Sequence, residues 1–332
     1  MKGAAVLGAG SWGTALAIHL ARAGSVVTLW ARRPEAAASI DAARENAVYL
    51  PGCRLPDGVS VTGDLRVALA GAGLVIFAAP AQTTRALACA AAPHLDAGVD
   101  LVLASKGLEE GSGLRLSEVL AATIPGREGH LTVLSGPSFA AEVAKGDPTA
   151  VVVAAEDGAA ARRVQAALSH ANLRLYTNAD VVGVELCGAL KNVMAIATGI
   201  VEGIGLGTNT RAALITRGLA EITRLGVALG GRPATFPGLA GAGDLVLTCT
   251  GGLSRNRAVG IAIGRGRPLH EILAGMSMVA EGVPTTRAAN ARARTLGIEM
   301  PIAAKVGEVL FEGRAPREAV NDLLARPLKE EA

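Results

Sequence analysis

The first fourteen residues set the tightest limits on how this chain can fold. Gly3-Ala4-Ala5-Val6-Leu7 is an apolar run of strand length, and it leads without a break into Gly8-Ala9-Gly10-Ser11-Trp12-Gly13. From Thr14 to Ala23 the apolar residues follow helical spacing, and Gly24 is a stop. A strand, a G-x-G-x-x-G turn and a helix in that order open a dinucleotide-binding unit. Gly8 permits the tight turn, Gly10 lets the backbone approach a pyrophosphate, and Gly13 lets helix and strand pack closely. The anion then sits on the helix N-terminus, where free N–H groups and the dipole favour it. A secretory signal is a poor reading, because five glycines fall within the first 24 residues, with Trp12, His19 and Arg22 among them.

At 332 residues the chain exceeds the size of one hydrophobic core, so two domains are expected. Strand-like runs recur at 26–30, 74–79, 101–104, 131–134 and 150–154, with a further one at 173–176. Their alternation with helical segments predicts an α/β fold, a Rossmann-like doubly wound parallel sheet covered on both faces. From Asp180 onward the spacing is helical, through 181–200, 212–229, 257–263, 285–296 and 302–310. The boundary is therefore placed at 179: a dinucleotide-binding domain over 1–179, then an all-helical domain over 180–332 that supplies substrate binding and catalysis. Residues 329–332 read as a frayed tail.

Only 2% of residues are aromatic, so the core must be built from Ala, Val and Leu at short backbone distances. The uncharged run 67–84 is broken by Gly71, Gly73 and Pro80 and is not a spanning helix, which predicts a soluble protein. The 32 basic and 29 acidic residues are dispersed, without the clusters that mark a nucleic-acid or membrane surface. Cys53, Cys89, Cys187 and Cys249 lie far apart and suit inert thiols in a reducing cytoplasm. No metal is expected, since no Cys/His group has ligand spacing. H-E-x-x-H, G-x-S-x-G and P-loop patterns are also missing from the sequence.

Ligands on open parallel sheets bind beyond the carboxyl ends of the strands, so the residues that follow each strand are candidates. Arg32 and Arg33 follow the second strand, where an NAD enzyme carries Asp or Glu. They suit the 2′-phosphate of NADP, although a pair of solvated surface arginines fits the same residues. Ser105-Lys106-Gly107 and Ser135-Gly136-Pro137-Ser138-Phe139-Ala140 follow later strands. In the helical half, Lys191 and Asn192 interrupt an apolar helix. Lys191 either snorkels to solvent or faces the cleft, where burial and a cation such as Lys106 favour its neutral form. A glycine-rich segment from Gly241 through Asp244 to Ser254-Arg255-Asn256 reads as a phosphate-holding loop or as a plain turn.

Taken together, G-A-G-S-W-G, S-K-G, S-G-P-S-F-A, L-K-N-V, G-A-G-D-L-V-L-T-C-T, S-R-N-R and Val279-Ala280-Glu281-Gly282-Val283 closely resemble the bacterial-type NAD(P)-dependent glycerol-3-phosphate dehydrogenases over nearly the whole chain. The resemblance implies reversible reduction of dihydroxyacetone phosphate to sn-glycerol 3-phosphate for phospholipid synthesis, in a cytoplasmic and commonly dimeric enzyme. It implies Lys191 as the catalytic proton donor and acceptor, and Lys106, Gly136, Ser138, Asp244, Ser254, Arg255 and Asn256 as substrate contacts. Besides the glycines, Ser11, Trp12, Arg32, Arg33, Lys106, Ala140, Arg255, Val279 and Glu281 would hold the cofactor, with NADP(H) favoured and NAD(H) possible. A related two-domain hydroxyacid dehydrogenase and a non-catalytic dinucleotide sensor are the competing readings. Retention of both Lys191 and Asp244 argues against the sensor.

Overall fold

The computed structural model describes residues 3–328 and Glu330, so the tail expected at 329–332 lies outside the described residues except for Glu330. Eight strands form one sheet: β1 (Gly3–Leu7), β2 (Val27–Trp30), β3 (Val59–Thr62), β4 (Ala72–Phe77), β5 (Asp100–Leu103), β6 (Leu131–Ser135), β7 (Thr149–Ala154) and β8 (Leu173–Asn178). Their spatial order is β3-β2-β1-β4-β5-β6-β7-β8. The order reverses between β1 and β4, and that reversal opens a crevice above their carboxyl ends. Successive residues of β1 serve two different cores. Ala4 and Val6 pack with Leu16 and Ile18 of the first helix, while Ala5 and Leu7 join the core that continues into the helical half. The two-residue period of a strand thus buries both faces of the sheet.

Two features of the sheet depart from the expectation. Strand β3 is an edge strand of four residues with only Val59 fully buried, too short and too polar to register as an apolar run. Strand β7 runs antiparallel to β6, the one such pair among the described strands. The connection between them, 136–148, holds only the short helix Ala140–Lys145. From β7 the eleven-residue helix Gly158–Leu168 makes a full crossover, and β8 is again parallel.

Beyond Asn178 the described chain is helical. The central helix, Val181–Gly203, is capped by Asp180, whose Oδ1 accepts from the Gly183 N–H at 2.8 Å. Its residues 183–201 are buried beneath helices Thr208–Ala228, Asp244–Thr250, Arg255–Gly264, Gly282–Leu296 and Pro301–Phe311. The helix is long and apolar enough to cross a membrane, but its most apolar window is wholly covered by protein.

The glycine-rich segment expected as a loop is instead mostly helix. Residues Leu239–Gly243 form a wide helical turn that runs into Asp244–Thr250, and only Gly251 to Ser254 lies between helices. Gly241 is there for close approach, since a Cβ would lie 1.9 Å from the Phe236 carbonyl oxygen.

Candidate active site

The turn after β1 has the geometry its glycines require. Gly8 sits at φ 125°, and a Cβ on it would lie 2.8 Å from the Ala78 backbone beyond β4. A Cβ on Gly13 would strike the Gly8 carbonyl, whereas Gly10 faces open space. Helix Ser11–Arg22 starts at Gly10 with no side chain on its first N–H groups, so its positive end is free for an anion. Three buried polar atoms on the same side of the fold have no partner among the described residues: Trp12 Nε1, Glu281 Oε2 and Thr285 Oγ1. Glu281 Oε1 accepts from the Ala81 N–H at 2.9 Å, and Ser11 Oγ lies 3.9 Å from Met278 Sδ, so this part of the helical half borders the turn. Burial raises the Glu281 carboxyl, against the Ala81 N–H and the Arg255 charge. An uncapped helix end with unpaired buried polar atoms in the part of the helical half that borders it suits a dinucleotide. Arg32 and Arg33 are exposed at the end of β2; Arg33 lies 3.8 Å from Glu35, and Arg32 pairs with no carboxylate among the described residues. Ala140 is half-buried at the start of its short helix.

Where sheet and helices meet, three charged groups share one buried cluster. Lys191 is 7% exposed and Asp244 0%. Lys191 Nζ donates to Asp244 Oδ1 and, at 2.9 Å, to Thr248 Oγ1. Lys106 Nζ donates to Asp244 Oδ2 at 2.8 Å and to the Gly136 carbonyl at 3.0 Å. The Gly136 carbonyl also accepts from Ser138 Oγ at 3.0 Å. Two ammonium groups therefore flank one carboxylate, which leaves net positive charge at the cleft. Burial lowers Lys191 to about 8; the Asp244 charge works against this and Lys106 works with it. For Asp244 burial acts upward, but the two lysines outweigh it and hold the carboxyl below its usual range. The start of helix Leu116–Thr123 is tied to the central helix by Glu185, which accepts from Ser117 N–H at 2.8 Å and Arg115 Nη1 at 3.1 Å.

Asp244 is fully buried and accepts from both lysines. Ser254 and Asn256 are also buried. Ser254 Oγ caps helix Arg255–Gly264 by accepting from the Arg257 N–H at 3.3 Å. Asn256 Nδ2 donates to Asn192 Oδ1 at 2.9 Å, while its own Oδ1 accepts from the Gly282 N–H at 2.9 Å. Arg255 Nη1 donates to the Val279 carbonyl at 3.0 Å, so Arg255, Val279 and Glu281 form one edge of the site. Burial lowers Arg255, opposed by the Glu281 charge. Thr248 was missed from the sequence. It follows Asp244 by one helical turn, a relation invisible while the segment was read as a loop. The Cys187 and Cys249 thiols are pushed up by burial and are held neutral.

Two family models cover the chain: the NAD-dependent glycerol-3-phosphate dehydrogenase N-terminus over residues 3–161 and its C-terminus over 180–321. The chain belongs to this family. Among its relatives is "Glycerol-3-phosphate dehydrogenase [NAD(P)+]" of Geobacter sp. (strain M21), 53% identical over 98% of each chain. The protein of the same name in Rhodospirillum rubrum is 51% identical over 98% of this chain and 93% of its own. The crystal structure of the glycerol-3-phosphate dehydrogenase of Coxiella burnetii matches with a TM-score of 0.93 at 40% identity, covering 98% of this chain and 99% of that one. A D-mandelate dehydrogenase shares the fold alone, at 13% identity and a TM-score of 0.63. Within the glycerol-3-phosphate dehydrogenase family, then, this chain carries a buried Lys106–Asp244–Lys191 cluster at the carboxyl edge of its sheet.

Proposed function

We propose that this chain catalyses reversible NAD(P)H-dependent reduction of dihydroxyacetone phosphate to sn-glycerol 3-phosphate, supplying glycerophospholipid synthesis. The observation that carries the reading is the Lys191 ammonium, desolvated, fixed by Asp244 and Thr248, and lowered to about 8. The bound nicotinamide supplies the hydride. As negative charge grows on the carbonyl oxygen, Lys191 Nζ delivers a proton to it; in oxidation the neutral amine takes that proton back. Lys106 adds positive charge beside the developing alkoxide, and Gly136 and Ser138 line the same pocket. Arg255 grips the phosphate, with Ser254 and Asn256 shaping the turn that presents it. The phosphate is remote from the bond being made, so its binding energy positions the carbonyl.

Gly8, Gly10, Ser11, Trp12, Gly13, Ala140, Val279 and Glu281 hold the dinucleotide in this reading, with Lys106 and Arg255 bordering both ligands. The division of labour falls at 179/180, where the sheet ends and the central helix is capped. A cytoplasmic location fits the free thiols of the four cysteines, and a homodimer fits the family to which the chain belongs.

Arg255→Ala tests the phosphate site. A hydrogen bond from a charged group contributes about 1.5–3 kcal/mol, so KM for dihydroxyacetone phosphate should rise by roughly one to two orders of magnitude. If the parent enzyme reduces the unphosphorylated ketone just as efficiently, there is no phosphate site. Cofactor preference leans to NADP(H), because Arg32 and Arg33 present guanidinium forks at the end of β2. Replacing both with alanine should raise KM for NADPH far more than for NADH. Equal effects would make them ordinary surface charges.

A further inference from the structure

The loop that carries the proposed phosphate grip is fixed to the same helix that carries Lys191, and two groups outside the site do the fixing. Arg257 forms a forked ion pair with Glu202 of the central helix. Its Nε lies 3.0 Å from Oε2, and its Nη2 lies 2.7 Å from both carboxylate oxygens. The remaining Nη1 donates to the Gly251 carbonyl at 3.4 Å, at the far end of the Gly251–Ser254 loop, and the Arg257 N–H is itself the donor that Ser254 caps. Arg257 thus holds both ends of that loop, Gly251 through its guanidinium and Ser254 through its backbone N–H.

Glu202 is about three helical turns beyond Lys191 on an uninterrupted helix. The seam between that helix and Arg255–Gly264 has no room for adjustment. Gly199 faces Gly260 and Gly203 faces Gly264, and a Cβ on Gly199 would lie 2.1 Å from the Arg257 carbonyl oxygen. Backbone in contact with backbone transmits position without side-chain slack.

We propose that Glu202 and Arg257 are positioning residues for the substrate phosphate: they hold the Gly251–Asn256 segment in register with Lys191, so that binding the phosphate places the carbonyl at the ammonium. Neither residue touches the reacting atoms. Among ketone substrates their effect is confined to those that carry a phosphate, because only these use the loop. The inference rests on the dihydroxyacetone phosphate reading given above.

The test is steady-state kinetics of Glu202→Gln and Arg257→Lys with saturating NADPH, using dihydroxyacetone phosphate and, separately, phosphate-free dihydroxyacetone. NADPH affinity and melting temperature are measured alongside to confirm folded protein. Both variants should show KM for dihydroxyacetone phosphate raised about tenfold, the scale of one weakened charge-assisted contact, with kcat little changed. The kcat/KM for dihydroxyacetone should stay within about twofold of the parent, a split that general loosening of the structure would not produce. Equal losses on both ketones, or an unchanged KM for the phosphate ester, overturn the positioning role. A parent enzyme that does not turn over dihydroxyacetone phosphate instead overturns the reading beneath it.

Discussion

Lys191→Met should fold, bind NADPH with near-parental affinity and lose turnover by about 10²- to 10⁴-fold, the range for a positioned general acid or base. Methionine matches the length of the lysine stem and suits the apolar wall of the central helix, while Asp244 keeps Lys106 as a partner. The fold should therefore survive, and only the proton is lost. The pH dependence gives a second signature. With Lys191 lowered to about 8 by burial, the ammonium needed for reduction is present below that pH and disappears above it. The reduction rate of the parent enzyme should fall as pH rises through about 8, and the oxidation rate should rise through the same range. The residual activity of the methionine variant should lack this limb. A variant with near-parental kcat would remove Lys191 from the chemistry.

Asp244→Asn should be the most costly neutral replacement in the cluster. The carboxylate is fully buried and is the one anion between two ammonium groups. Removing its charge leaves Lys106 and Lys191 facing each other in a dry site, and breaking such a buried pair costs about 3–5 kcal/mol. Denaturant unfolding should register that loss. Asp244 also opposes the effects that lower Lys191, so without it the lysine drops further. Lys191 should then lose its proton at lower pH, moving the limb of the reduction profile to the acid side of about 8. Unchanged stability together with an unmoved limb would mean that the carboxylate is not the counter-ion the geometry shows.

What the sequence disclosed depended on how local each signal was. The turn at Gly8, Gly10 and Gly13 was legible because a backbone shape is written there in three closely spaced glycines, and Lys191 stood out as a charge in an apolar helix. Strand β3 was not legible, because an edge strand with one fully buried residue leaves almost no hydrophobic trace. The direction of β7 was not legible either, since an apolar strand reads the same whichever way it runs. The glycines at 241 and 243 misled for a physical reason: glycine serves close packing as well as turns, and at Gly241 it admits the Phe236 carbonyl into a helical turn. Reading that segment as a loop hid Thr248, which follows Asp244 by one helical turn. The Glu202–Arg257 pair joins two helices far apart in sequence, so its significance appears only once those helices are packed.

The most direct test of the whole account is to follow NADPH and NADH consumption by the purified parent enzyme with dihydroxyacetone phosphate, with phosphate-free dihydroxyacetone and with a 2-keto acid. The account predicts rapid consumption with the phosphate ester, faster at low NADPH than at equally low NADH, and kcat/KM lower by at least about tenfold for the two ketones that lack the phosphate. Comparable turnover of the 2-keto acid, or no consumption with dihydroxyacetone phosphate, would contradict it.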